Sequence, residues 1–407
     1  MRDTDVTRGG PASQQGMRRA NLALVLGHVA REPRSRAELA AATGLTRAAV
    51  SSLAEELLNT GLLTESGPAA PSGKVGRPGT ALALDPQGPG GIGAEVGVDH
   101  LAACVVDLRG EVRSWHRMEI RNRGRLPAAV LADLAELVRR AAGEAALHPA
   151  GLALAVPGLV GAAEGVVERA SNLGWEGVPA AAELRSSLRA TGAHELSALA
   201  IDVDNDANLG GLAELWLGGR AEDFLHVSAE AGIGAAVVVG GRLLRGARGY
   251  AGELGHVPVR PDGPPCSCGA RGCLEQYAGE RAVLRAAGLA GAPGDWVALL
   301  AGRAVAGDEK VRAALAGAGQ MLAVAVAGAV NLLDPAEVVL GGGYAELAPW
   351  LLPAMRAELA ARVAVRPWSQ EWLTASRFGR RGPLLGAAVG VVRAVLADPG
   401  RYAQARD

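Results

Sequence analysis

The chain has 407 residues, 49% hydrophobic and only 3% aromatic, with 57 Gly, 22 Pro and a formal net charge of −1. That length exceeds one ordinary domain, and the near-neutral charge excludes a global field that would attract nucleic acid, so any such contact is local. Three of the four cysteines share one short stretch, which excludes a disulfide framework, and no charged-then-apolar leader opens the chain, so the expected location is the cytoplasm, away from any membrane.

Residues 1–16 are polar and aperiodic, the composition of a disordered arm. From Met17 to about Val29, Leu22, Leu24, Val25 and Val29 recur at helical spacing. Ser35 and Glu38 form a capping box that opens a second helix through Thr43. Gly44 and Leu45 turn the chain, and Thr46 is placed to cap a third helix, Arg47–Leu58. Leu39, Val50, Leu53 and Leu57 face inward at this register, while Arg47, Ser51 and Ser52 face out. Strands at Leu62–Glu65 and Ala81–Leu84 enclose a loop that carries Lys74 and Arg77 among glycines.

This order of elements predicts an α+β winged helix-turn-helix over residues 17–85. Short hydrogen-bonding side chains suit base edges in the major groove, and a flexible basic hairpin tip suits phosphates or the minor groove. Thr46, Arg47, Ser51, Ser52, Lys74 and Arg77 are therefore the candidate contacts to double-stranded DNA. Residues 1–80 hold ten Lys/Arg against seven Asp/Glu, a net +3. That excess does not separate a DNA reader from a helical subdomain that packs on its neighbour; the spacing of the elements favours the reader. Pro86–Gly91 has the composition of a linker.

From Ile92 to residue 407 the pattern becomes α/β. Strands are expected at Gly93–Leu108, Glu111–Ile120, Gly151–Val156 and Ala198–Val203, with helices at Leu126–Ala142, Ala180–Ala190 and Asn208–Leu217. A second round follows, with strands at Phe224–Ser228, Ile233–Val239, Arg242–Arg245 and Val338–Leu340 among long helices. Two such halves in tandem predict two lobes with a ligand cleft between them. Ala313–Leu333 is apolar but interrupted by Gln320, Asn331 and glycines, as suits a buried helix and not a membrane span.

Between Arg245 and Glu280 the chain concentrates its unusual residues. Cys266, Cys268 and Cys273 fall within eight positions, with His256 ten residues upstream of the first and Glu275 two residues past the last. Three thiolates and one imidazole are the ligand set of a closed tetrahedral zinc site, with three free buried thiols as the competing reading. Gly269 and Gly272 permit the tight folding such a loop needs.

The run Cys266-x-Cys268-Gly269-x-x-Gly272-Cys273-x-Glu275, preceded by Gly252, Glu253, Gly255 and His256, resembles the signature of the ROK family of repressors, open reading frames and sugar kinases. The resemblance extends over nearly the whole chain, through Pro157-Gly158, Asn172 to Trp175, Asn205 to Asn208, Asn331 to Pro335 and Gly386. It implies a two-lobed actin/hexokinase-like (ribonuclease H-like) α/β domain, which in the repressor branch follows an N-terminal winged helix. It also implies hydrogen bonding of a small sugar by Asn172, Asn205, Asp206, Glu253, His256 and Glu275, with His256 shared with the metal. A turn cap at Asn172, a helix cap at Asp206 and solvated surface acids at Glu253 and Glu275 are the competing uses.

Asp206 stands where the family's kinases keep their general base, so the catalytic carboxylate is vestigial or active according to the phosphate sites. The first family hairpin, Asp-x-Gly-Gly-Thr-Lys, is replaced by Glu95-Val96-Gly97-Val98-Asp99-His100, and the second, Gly-Thr-Gly-Ile-Gly-Gly-Gly, by Glu230-Ala231-Gly232-Ile233-Gly234-Ala235-Ala236. An acid opposes a triphosphate at both, joined by the Val98 side chain at the first and by loss of the threonine hydroxyl at the second. The expectation is a sugar-responsive repressor that binds an operator as a homodimer or dimer of dimers, with an ATP-dependent sugar kinase bearing a DNA-binding domain as the alternative.

Overall fold

The computed structural model describes residues 14–68, 80–161, 165–230, 232–292 and 294–404. The first helix, Gln14–Val29, starts three residues earlier than the sequence boundary at Met17, so Gln14 to Gly16 belong to it and not to an arm; the preceding residues, like Lys74 and Arg77, lie outside the described set. Helices Arg36–Thr43 and Arg47–Asn59 follow at the expected signals. The Ser35 hydroxyl accepts from the Glu38 amide while the Glu38 carboxylate accepts from the Ser35 amide, and Thr46 Oγ1 accepts from the Ala49 amide at 3.2 Å. Leu39, Val50, Leu53 and Leu57 are all buried. Strands Leu63–Pro68 and Thr80–Leu84 pair antiparallel, and Arg34–Ser35 adds a third edge to that small sheet.

The expected linker is shorter than residues 86–91, because Gly90 and Gly91 already lie in strand Gly90–Val96. Its surroundings are tied down. The Arg109 guanidinium donates twice to the Leu84 carbonyl, at 3.0 and 2.8 Å, and Arg113 donates to the Pro86 carbonyl at 2.8 Å. Leu22, Val25, Leu26 and Leu57 share one apolar cluster with Cys104, Val106, Leu108, Leu384 and Val392. The winged helix thus shares a core with the neighbouring lobe.

The first lobe is a five-stranded sheet in the order Ile201–Asn205, Pro149–Val156, Gly90–Val96, His100–Val106, Val112–Glu119. The stretch expected as one strand, Gly93–Leu108, is two, broken by a turn at Gly97–Asp99. Strand Ile201–Asn205 lies later than the expected Ala198–Val203 because Ala198 closes a short helix, His194–Ala198. A further three-stranded sheet, Leu159–Val160, Val167–Ala170 and Trp175–Val178, is packed beside the lobe and was not expected.

The second lobe has the sheet order Arg242–Leu243, Ile233–Val239, Phe224–Ala229, Glu337–Gly342, Leu373–Ala375. In both lobes three antiparallel strands are followed by two that add in parallel on the other side of the first, so the internal repeat is one of topology. The helix Glu309–Leu333 is long and apolar enough to cross a membrane, yet half of its apolar window is buried, with Leu322, Val326 and Val330 in the second lobe's core.

One helix, Gly382–Ala397, binds the parts together. A Cβ on Gly91 would stand 2.2 Å from the Ala388 carbonyl oxygen, one on Gly93 2.5 Å from that of Leu384, and one on Gly386 1.9 Å from that of Leu209. Backbone therefore meets backbone on two sides of this helix, against strand Gly90–Val96 and helix Asp206–Leu217. Gly386→Ala is expected to destabilise the protein by about 3 kcal/mol; unaltered midpoints in thermal and urea unfolding would show that the helix is not held at this distance.

Candidate functional site

The cysteine loop folds around its own side chains. A single helical turn, Leu254–His256, precedes it, and the Val259 amide donates to the Gly272 carbonyl at 2.9 Å to close its base. Gly269 and Gly272 adopt φ of +94° and +68°, the left-handed conformation anticipated for a tight wrap. Donor atoms of His256, Cys266, Cys268 and Cys273 all lie within 4.8 Å of one another. Cys268 Sγ is 3.7 Å from Cys273 Sγ, and Cys266 Sγ is 3.8 Å from His256 Nδ1. With metal–sulfur bonds of about 2.3 Å, the edge of a tetrahedron is about 3.8 Å. The four residues fit a tetrahedral cation. The remaining imidazole nitrogen, Nε2, faces Glu253 Oε2 at 3.8 Å, which leaves it available on the cleft side.

A cleft of about 1130 Å³ lies between the lobes, and Asn172, Asn205, Asp206, Glu253, His256 and Glu275 all line it. Asn205 ends its strand and caps the helix Asp206–Leu217. Its Oδ1 accepts from the amides of Ala207 and Asn208 at 2.9 and 3.2 Å, and its Nδ2 donates to the Gly158 carbonyl at 2.9 Å. Capping is thus Asn205's role more than Asp206's. Asp206 Oδ1 accepts from the Ala207 amide at 2.8 Å. Asn172 and Glu275 both lie against Gly232, where an added Cβ would meet Asn172 Nδ2 at 3.2 Å and Glu275 Oε2 at 3.0 Å.

Burial dominates the electrostatics here. It raises the Asp206 carboxyl from 3.8 to about 7, with the charges of Glu95 and Glu253 adding to the shift. It raises Glu230 from 4.5 to about 7 against the opposing charge of Arg380, and it raises Glu253 against His256 and Arg169. Among the described residues, buried Glu230 Oε1 finds no hydrogen-bond partner. For His100, burial disfavours the charged ring, but the charge of Glu95 and its 3.1 Å hydrogen bond outweigh that and raise the imidazole's pKa.

Two residues of the cleft escaped the sequence reading. His100 was visible only as a departure from the hairpin motif. Arg380, in the turn Gly379–Arg381, donates from Nε to Glu230 Oε2 at 3.3 Å and from its terminal nitrogen to Asp295 Oδ2 at 2.5 Å. Its partners are 150 and 85 residues away, so its only sequence signal was a pair of arginines opening an apolar helix. On the winged helix, Thr46, Arg47 and Ser52 are exposed and Ser51 is half-buried.

Residues 91–393, over half of the chain, match the model of the ROK family. The chain belongs to the ROK family. Residues 16–71 of this ROK protein match a second model, that of the MarR family. Over 382 residues it is 28% identical to a xylose repressor from Caldicellulosiruptor bescii, covering 90% of this chain and 93% of the relative. In fold it resembles a ROK family transcriptional regulator that is a homologue of the E. coli MLC protein, at 23% identity and a TM-score of 0.76, covering 95% of this chain and 99% of the other. The ROK hexokinase of Thermus thermophilus is 32% identical, with a TM-score of 0.58, and covers 75% of this chain and 99% of its own. The fold is therefore a MarR-type winged helix joined to a two-lobed actin/hexokinase-like domain.

The native Asp206 holds its proton to about pH 7, whereas the unfolded chain releases it near 3.8. Stability contributed by this group is therefore lost as pH rises through that window. Asp206→Asn should raise the unfolding temperature over wild type more at pH 8 than at pH 5; an equal or reversed difference in calorimetry would show that the carboxyl ionises normally.

Proposed function

We propose that this ROK protein is a sugar-responsive transcriptional repressor whose effector occupies the cleft and whose winged helix binds operator DNA. The observation that carries the reading is the coexistence, in one chain, of a DNA-binding module with a hydroxyl-binding set of residues and two acid-bearing hairpins where phosphates would lie. Asn172, Asn205, Asp206, Glu253, His256 and Glu275 would supply a fan of donors and acceptors to vicinal hydroxyls. The relative from Caldicellulosiruptor bescii, a xylose repressor over nearly its whole length, supports the same reading.

The charge in the cleft weighs against the kinase alternative. Glu230 and Asp99 line it beside Glu95, Asp206 and Glu253, with Val98 where the family hairpin has its second glycine, although arginines, Arg380 among them, line the same cleft. A triphosphate would meet like charge within a partly desolvated site, where each repulsion exceeds its value in water. Asp206 and the likeness to the Thermus hexokinase are what the alternative retains.

Zinc is the cation we assign to His256, Cys266, Cys268 and Cys273, where it would supply a rigid anchor for the loop and take no part in chemistry. Held through Nδ1, His256 presents Nε2 to a sugar hydroxyl, a division of labour common to metal-bound imidazoles. Thr46, Arg47, Ser51 and Ser52 are the proposed DNA contacts on the third helix. A homodimer, or a dimer of dimers, would place two such helices on half-sites about a helical turn apart. The cytoplasm is the compartment that fits this role.

The test is a gel shift with the gene's own upstream DNA, titrated with xylose, glucose and N-acetylglucosamine. One of them is expected to change operator affinity at least tenfold, and Glu253→Ala to abolish the response while leaving DNA binding intact. No sugar phosphate should form when ATP is added; turnover at an enzymatic rate would establish the kinase instead. Chelation, or Cys268→Ser, should remove the sugar response at a dose that spares operator binding, since the metal loop and the winged helix are separate. Loss of both together would sink the assigned role of the loop.

A further inference from the structure

The sensor reading requires a connection between the cleft and the winged helix, and helix Gly382–Ala397 offers a continuous one, ending on the first helix of that module. Helix Gly382–Ala397 has 16 residues, which at 1.5 Å per residue is about 24 Å of rigid rod. At its start, Arg380 reaches into the cleft and pairs with Glu230, just beyond strand Phe224–Ala229, and with Asp295. Asp295 itself caps helix Trp296–Val305, with Oδ1 accepting from Val297 and Ala298, so Arg380 grips an ordered part of the second lobe. At the far end, Asp398 pairs with Arg19 of the winged helix, whose Nε donates to Oδ1 at 3.1 Å. Along the same end, Val389, Val392, Val395 and Leu396 share an apolar cluster with Leu22, Val25, Leu26 and Val29 of helix Gln14–Val29.

We propose that Arg380 is a positioning residue that straps the second lobe to this rod, and that movement of the lobes on sugar binding reaches helix Gln14–Val29 through Gly382–Ala397. The proposal rests on the sensor reading above and specifies how that site regulates DNA binding. The rod is held to the first lobe at Gly91 and Gly93, and at Gly386 to helix Asp206–Leu217, which itself packs on the second lobe's sheet, where an added Cβ on Gly211 would stand 2.4 Å from Ala236 and one on Gly234 2.6 Å from Ala207. Arg380 adds the charged part of the second lobe's hold on the rod's tip. A sugar that favours one lobe arrangement shifts DNA affinity only by the difference in free energy between arrangements, and the Arg380 strap is part of that difference.

Arg380→Gln keeps the length and removes the charge; Arg380→Lys keeps the charge with a single donor group. Two measurements are made on the full chain, with folding checked by circular dichroism. In the gel shift, the sugar-induced change in operator Kd is expected to shrink at least fivefold in Arg380→Gln and to recover substantially in Arg380→Lys. In hydrogen exchange on protein free of sugar and DNA, Arg380→Gln is expected to increase exchange in Gln14–Val29 and Arg380→Lys to restore protection. A full-sized sugar response in Arg380→Gln overturns the proposal, as does unchanged exchange in Gln14–Val29. If no sugar shifts the wild-type operator Kd, the sensor reading itself fails, while the exchange experiment still decides whether strap and helix are coupled.

Discussion

The contact on which the other parts depend is the meeting of backbones at Gly91, Gly93 and Gly386. Any side chain at these positions would push the carbonyls of Ala388, Leu384 or Leu209 out of place. Helix Gly382–Ala397, strand Gly90–Val96 and helix Asp206–Leu217 are consequently one rigid unit. That unit carries Glu95 at the end of the strand and Asp206 at the start of the helix, two of the cleft's carboxylates. It also carries the apolar surface on which the winged helix rests. Cleft and DNA-binding module are therefore mounted on the same block, and sub-ångström shifts in one are not absorbed by loose packing before they reach the other.

Against this block, the cleft is electrostatically unusual. Burial raises Asp206 and Glu230 to about 7, so both exchange protons near neutrality and both become neutral more easily than free carboxylates. A neutral carboxyl donates as well as accepts a hydrogen bond, which suits a ligand made of hydroxyl groups. Arg380, the cation beside Glu230, has Glu230 and Asp295 as partners.

Much of this was legible in the sequence where the signal is local. The Ser35 capping box, the Thr46 cap and the cysteine spacing each involve residues within about a dozen positions, and each was found where expected. Helix Ala180–Ala190 and strand Ile233–Val239 fall on the expected boundaries. The turn at Gly97–Asp99 leaves no mark in the hydrophobic pattern, because the flanking strands are buried on both faces and show no alternation to interrupt; only the likeness of Glu95–His100 to a family hairpin points to it. The small sheet at Leu159–Val178 was missed because strands of two to four residues are too short to show a period. Arg380 was missed for a different reason: nothing near it in sequence requires a cation, and its partners, 150 and 85 residues away, arrive only when the second lobe has folded.

The relative strength of the contacts along Gly382–Ala397 determines what kind of coupling the fold can support. The Arg19–Asp398 pair is well exposed, and pairs of that kind contribute between nothing and about 1 kcal/mol. The Arg380–Glu230 pair is more enclosed, at 20% and 23% exposed, while Asp295 on the other side of Arg380 is 43% exposed. Loss of that pair would leave Glu230, whose Oε1 already lacks a partner among the described residues, without its counter-charge in a desolvated site. The two ends of the rod therefore differ in kind. At the DNA end, orientation is set by apolar packing, which has no charge to switch. At the cleft end it is set by an ion pair among titrating carboxylates, which a ligand can strengthen or break. Polar contacts at one end and apolar packing at the other thus join the cleft to helix Gln14–Val29 through one rigid helix.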